Sequence, residues 1–186
     1  MGSFNSLYNI SYIVDGSGLP GNTPSLTGTH DPNPNNNNSW GSSNGTTTGN
    51  ITFNLNGVYS LAGFSLWNYS NFNSAGVKDV NVLTSTDGNN FTTVAGAPTQ
   101  FAIGANNVPE SPEQFSFAPV TASYVRFNVL SSQGYSAVGL NEVQFNSASA
   151  TATAVPEPFT ILGTLTAVGG GAALKRQLKG VKSKSV

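Results

Sequence analysis

Few side chains here could do covalent chemistry: Glu110 and Glu113, three apart in VPESPEQ, and a single histidine, His30. A glycoside-hydrolysing pair needs one carboxyl in an apolar pocket and the other across a cleft of defined width. A proline-broken loop supplies neither. His30 lies in an Asn/Pro-rich stretch, where a solvated imidazole is expected rather than a general base. The chain has no cysteine, which excludes disulfides, thiolate metal sites and cysteine nucleophiles. No GxSxG element, phosphate loop or zinc pattern occurs. The expectation is a protein that is not an enzyme.

Recognition chemistry is better represented. A sugar site stacks aromatic rings on pyranose faces and reads the hydroxyls with amides and a few charges. Trp40, Trp67, Tyr69, Phe72 and Tyr135 offer rings, with Asn68, Asn71 and Arg126 nearby. Trp67 sits in a strand-like run and reads as core. Tyr69, Asn71 and Phe72 fall in the loop-like YSNFNS and are the best placed for ligand contact, with Trp40 and Arg126 beside them. Arg126 has a second reading, as the partner of an acid on an exposed strand face.

The elements that must carry these residues read as almost entirely β. From Ile51 onward, short alternating runs are separated by turn signals. ITFNL places Ile51, Phe53 and Leu55 on one face, and VKDVNVLTS does the same for Val80 and Val82. In SYVRFNVL, Val125, Phe127 and Val129 point inward, while Tyr124, Arg126 and Asn128 point out. LNEVQF, with Leu140, Val143 and Phe145, does not alternate cleanly. Residues 1–50 are rich in Asn, Gly, Ser, Thr and Pro. They form either a disordered leader or a long loop of the β domain, the latter supported by Ile10, Tyr12, Ile13 and Val14.

Charged residues make up 8% of the 186, against roughly a quarter in an average domain. Such a surface gives little steering toward nucleic acid, so no nucleic-acid partner is expected. The 38% hydrophobic content argues against overall disorder.

LAGFSLWNYS, VKDVNVLTSTDGNNFTTV, FSFAPVTASYVRFNVLSS and GLNEVQF together resemble a discoidin domain, the F5/8 type C, galactose-binding-like family. Ser85, Asp87, Gly88 and Phe91 match its S-x-DG-x-x-[FW] pattern, and Asp15-Gly16 with Trp40 can fill its upstream DG and Trp. The resemblance spans about residues 8–147 and implies an eight-stranded jelly-roll β-sandwich. It also implies a structural Ca2+ held by carbonyls with Asp15 and Glu142, carbonyls near Gly16 and Gly18 completing the shell. Alternatively, Asp15 caps a turn and Glu142 is solvated.

The C-terminal sequence reads differently. Up to Ala154 the acids are Asp15, Asp31, Asp79, Asp87, Glu110, Glu113 and Glu142, against the bases Lys78 and Arg126. Beyond it, the single acid Glu157 precedes Lys175, Arg176, Lys179, Lys182 and Lys184. The uncharged run 159–174 would span about 24 Å as a helix, against a hydrocarbon core of about 30 Å. With the bases kept cytoplasmic, residues 1–154 would lie on the far side of a membrane. Val155-Pro156-Glu157-Pro158, the apolar run and Lys175-Arg176 resemble a PEP-CTERM sorting signal, which implies an exosortase-type processing enzyme as partner. MGSFNSLYNISYIV has no basic n-region and no clean apolar core, so a start downstream of the true signal peptide is expected.

The domain expectation is a β-sandwich over 1–150, best supported over 51–147, then a linker at 151–158. A short membrane helix at 159–174 and a basic cytoplasmic tail at 175–186 complete it. The fold class is thus an all-β jelly roll followed by one hydrophobic helix. The functional expectation is an exported, carbohydrate-binding module that attaches to extracellular polysaccharide. Before processing it would be membrane-anchored by the tail, and afterwards surface-bound or secreted. The alternative is a structural matrix or cell-surface protein with no discrete ligand.

Overall fold

The computed structural model describes residues 9–32 and 37–148. Six strands form one antiparallel hydrogen-bonded network: β1 (Trp40–Gly41), β2 (Gly49–Asn68), β3 (Val80–Ser85), β4 (Thr92–Thr93), β5 (Glu113–Val129) and β6 (Gly139–Ser147). Their spatial order is β1-β6-β2-β5-β3-β4. Among the described residues, helix is confined to 3-10 turns at Ile10–Ile13, Pro20–Asn22 and Asn73–Ala75.

β2 and β5 are too long to lie in one twisted layer, and they bend from one layer into a second. The first part of β2 pairs with the end of β5, Ile51 opposite Phe127. Register then slips between Asn54 and Tyr59 and again between Leu61 and Gly63. Past the slips, β2 pairs with the start of β5 on one side and with β6 on the other. Asn56 makes the bend with a left-handed φ of 57°, its N–H donated to Asn54 Oδ1 at 2.9 Å. At Gly63 the strands approach so closely that a Cβ would lie 2.1 Å from the Phe115 carbonyl oxygen.

Folding the network over itself stacks its two halves. Phe53 of the first half meets Phe145 of β6 edge-on at 5.1 Å, and Phe64 of the second half meets Phe127 at 5.3 Å. Phe101 joins from a loop, 5.5 Å from Phe127. Each such buried side chain contributes about 1.5–3 kcal/mol through apolar burial, and the edge-on geometry adds to it. Ile51, Phe53, Val80, Val82, Val125, Phe127 and Val129 are all buried, as period-two alternation predicts.

Of the two readings of the N-terminal stretch, the structure selects the loop. Residues 9–32 lie over the second half of β2, with Ile13, Leu19 and His30 buried. Ser65 Oγ donates to the Leu26 carbonyl at 2.7 Å and Trp67 Nε1 to the Gly28 carbonyl at 3.1 Å. His30 and Glu110 exchange backbone hydrogen bonds of 2.8 and 3.0 Å.

One part of the expected fold is corrected. The hydrophobic helix at 159–174 lies outside the described residues, and among those described no helix is long and apolar enough to cross a membrane. The run has the wrong physics for the role: about four residues short of the roughly 20 a spanning helix needs, with three consecutive glycines inside it. The fold supported is the antiparallel jelly-roll sandwich alone.

Candidate functional site

At the end of β2 the chain leaves the sandwich, and the buried Asn68 controls how. Its Nδ2 donates to the carbonyls of Val77, at 2.8 Å, and Ala102, at 2.7 Å. Its Oδ1 accepts the N–H of Tyr69 at 2.9 Å and of Val77 at 3.0 Å. The amide's whole hydrogen-bonding capacity is spent on three loop residues, so Asn68 contacts no ligand.

Three loop segments converge beyond it. Ser42 Oγ donates to the Thr46 carbonyl at 2.7 Å and accepts the Val138 N–H at 2.9 Å. Gly45 N–H reaches the Ser136 carbonyl at 2.7 Å, and Tyr135 N–H the Ser74 carbonyl at 3.0 Å. Phe72 and Tyr135, both exposed, stand at 90° with centroids 4.8 Å apart. They wall a cleft of about 130 Å3 that is also lined by Ser42, Asn44, Tyr69 and Val138, with no charged residue in its lining.

The sequence-predicted site residues part company here. Phe72 presents its ring to solvent, while Tyr69 is buried and contributes to the floor. Asn71 is half-buried, its Nδ2 3.4 Å from Ser39 Oγ. Trp40 is fully buried in the core and has no ring face to offer a ligand. Arg126 lies on the outer face of β5, its guanidinium 3.6 Å over the Phe91 ring, and does not line the cleft. Ser42 and Asn44 were not singled out, because their Ser/Asn/Gly-rich context carries no signal of position.

A second polar constellation sits under the N-terminal loop. Glu142 is completely buried. Its Oε1 accepts the Gly16 N–H at 3.2 Å and the Gln144 side-chain amide, while Oε2 has no hydrogen-bond partner. Burial pushes its carboxyl up to about 8, and the negative charge of Asp15 adds to the rise. β1 and β6 pair Trp40 with Leu140 and Gly41 with Gly139. Asn38 lies in the bend just before β1. Asn38 is buried too, with Nδ2 given to the Asp31 carbonyl at 2.9 Å and Oδ1 unpartnered. Buried oxygens without donors are costly and call for a partner. Two carboxylates and an amide oxygen suit a hard cation that also takes carbonyls. Among the described residues, no group of three or more His, Cys, Asp or Glu gathers in one place.

His30 is buried rather than solvated, and burial lowers its pKa against the backbone groups of Asp31, Ser17 and Asn38 beside it, which raise it. Glu113 and Glu110 cap a loop, accepting the N–H groups of Ala102 and Ala105, each at 2.9 Å. Burial raises the Glu110 pKa, but the carboxylate is committed to a backbone N–H.

The F5/8 type C domain family matches residues 12–143. Among solved structures, the chain is similar to CBM32-1 of a family 31 glycoside hydrolase from Clostridium perfringens: 15% identity, TM-score 0.54, 79% of this chain and 92% of that one. It is similar also to CBM32-3 of a family 31 glycoside hydrolase from the same organism: 20% identity, TM-score 0.51, 76% of this chain and 100% of that one. At these identities the likeness is one of fold. No curated protein matches. The matched family is non-catalytic, so the domain is not an enzyme.

These findings correct the remaining tail expectations. The match ends at residue 143, and no sorting signal is seen. The motif Val155, Pro156, Glu157, Pro158, Lys175 and Arg176 lies outside the described residues. The PEP-CTERM assignment, its exosortase partner and membrane anchoring are withdrawn with it, as is the localisation that rested on them.

Two outcomes follow from this geometry. Asn68→Asp would turn a carboxylate oxygen toward the Val77 and Ala102 carbonyls, destabilising the domain by on the order of 3 kcal/mol. Thermal melts measure it, and an unchanged melting temperature would mean that the loops are held by other contacts. Glu142 is protonated in the folded state at pH values where the unfolded chain has released its proton. Stability in chelator is therefore greatest near pH 4.5 and falls as pH rises toward 8, lowering the melting temperature by on the order of 5 °C. Glu142→Gln should flatten that slope; a slope of the same size in the variant would assign it elsewhere.

Proposed function

The chain belongs to the F5/8 type C domain family, and on that premise we propose that it is a carbohydrate-binding module whose ligand sits in the cleft walled by Phe72 and Tyr135. The observation that carries the reading is that pair of exposed, perpendicular rings beside an uncharged cleft. One ring can lie against the apolar face of a pyranose while the other closes on its edge. Asn44, exposed at the rim, supplies an amide for hydroxyl groups, and Tyr69 closes the floor. The rings stand on loops already tied together by backbone hydrogen bonds, so little ordering is left to oppose binding. The ligand class is a neutral sugar unit of a polysaccharide, because nothing in the lining favours an anion.

A structural Ca2+ belongs to the same proposal. Glu142 Oε2, Asn38 Oδ1 and Asp15 are the side-chain oxygens that would hold it, with loop carbonyls. Bound there, it would supply the positive charge that the buried Glu142 lacks and keep that carboxylate ionised.

Immobilised neutral polysaccharides, probed with the full chain in calcium and in chelator, test both parts. Phe72→Ala and Tyr135→Ala should each weaken binding by roughly tenfold without lowering the melting temperature. A folded protein that retains no neutral polysaccharide, or that binds equally after both substitutions, would defeat the cleft reading. Calcium should raise the melting temperature by on the order of 5 °C and abolish the loss of stability toward pH 8. Identical melting curves in calcium and chelator would end the calcium reading and leave the cleft untouched.

A further inference from the structure

Among the described residues, Arg126 is the one basic side chain in a strand, and its circumstances are unusual for a surface arginine. Its Nε donates to Thr52 Oγ1 on β2 at 2.9 Å, and its guanidinium carbon lies 3.6 Å above the centre of the Phe91 ring. The tether and the stack fix the plane of the group from two sides. A guanidinium has five N–H donors, of which Nε carries one. Among the described residues, neither Nη makes a hydrogen bond and no carboxylate pairs with the group. The rotamer entropy that usually weakens an exposed arginine contact has therefore been lost already, while its fork remains open.

Among the described residues, the surrounding face offers no acid to fill that fork. Strand pairing sets Arg126 between Thr52 and Leu83, and Asn128 between Asn50 and Asn81. Because Val125, Phe127 and Val129 point inward, Tyr124, Arg126 and Asn128 share the outer face with these neighbours. The acid in the adjoining turn, Asp87, is occupied. It accepts the N–H groups of Asn89 and Asn90, each at 2.8 Å, the Asn90 side chain at 2.7 Å and the Ser85 hydroxyl at 2.8 Å. Beside Arg126, the half-buried side chains of Asn81 and Asn128 make no hydrogen bond within the described residues.

We propose that this outer face is a second, anion-reading saccharide site, in which the preorganised Arg126 fork takes the carboxylate of a uronic acid while Asn128 and Asn81 read its hydroxyls. A carboxylate is planar and matches the two Nη donors in a charge-assisted, bidentate pair, which the hydroxyls of a neutral sugar do not supply. The choice of a saccharide as bearer of the carboxylate rests on the carbohydrate-binding reading above. The site is separate from the cleft, since Arg126 does not line it.

Oligogalacturonate is the probe, and its methyl ester is an uncharged control on the same backbone. Titration calorimetry on the full chain carrying Phe72→Ala keeps the cleft out of the measurement. The acid should bind, added salt should weaken it, and the ester should bind roughly tenfold more weakly. Arg126→Gln should cost roughly tenfold in affinity for the acid. Arg126→Lys should also weaken it, because lysine keeps the charge but loses fork and stack. If Arg126→Gln fails to fold, Arg126→Lys and Phe91→Leu carry the test, the latter freeing the guanidinium while keeping its charge. Equal affinity for acid and ester would overturn the proposal, as would wild-type affinity in Arg126→Lys or Arg126→Gln. Absence of oligogalacturonate binding by a folded protein that retains neutral polysaccharide would overturn it too, and would leave the cleft reading standing.

Discussion

The geometry of the loop end depends on one buried amide. Asn68 stands where β2 stops being sheet, and its four hydrogen bonds reach forward to Tyr69, across to Val77 and over to Ala102. The loop after β2 and the one before β5 are thus fixed to a single side chain. The dependence runs both ways, since a Cβ on Gly76 would lie 2.8 Å from Asn68 Oδ1. A fully satisfied amide in a dry environment is rigid, and a partly satisfied one there is costly. Phe72, four residues along the chain, inherits its position from that arrangement.

How much of this was legible in the sequence depends on whether a strand has one buried face or two. Ile51 and Phe53, Val80 and Val82, and Val125 through Val129 alternate because their outer faces meet water, and period two identifies them directly. LNEVQF does not alternate, and the structure gives the reason. Gly139 through Val143 are all buried, because the N-terminal loop covers the other side of β6. The end of β2 is likewise continuously buried beneath Leu26 and Gly28. A covering loop carries no period of its own, so its effect on the strand below is not visible locally.

The same blind spot governed the site. Tryptophan suits sugar stacking and core packing equally, and only the fold assigns Trp40 to the core. Phe72 and Tyr135 lie 63 positions apart in the chain, and no spacing rule joins residues from different loops. Arg126 was open to two readings, ligand contact or ion pair. The second is set aside among the described residues, because its neighbours are Thr52 and Phe91. The stack on Phe91 joins a strand to the turn after β3, again a tertiary fact.

A domain with so few charges makes each of them informative. Most carboxylates here brace turns and loops: Asp15 takes the Ser17 N–H, Asp79 the Gln100 amide, Asp87 the turn that follows it, and Glu110 and Glu113 a loop between β4 and β5. Local hydrogen bonding is sufficient reason for all of these except Asp15, which the calcium proposal also uses. It is not sufficient for Glu142, which is buried with one oxygen unanswered, or for Arg126, which is held rigid with its fork unfilled. Sequences that fold well satisfy their polar groups nearly everywhere, and departures concentrate where something else must bind. The departures here are complementary in sign. An acid lacks a cation beneath the N-terminal loop, and a cation lacks an acid on the outer sheet face. Neither can relieve the other, because one is sealed between loop and β6 and the other lies on the outer face of β5. The partners proposed for them, a calcium ion for the one and a uronic acid carboxylate for the other, follow those two signs.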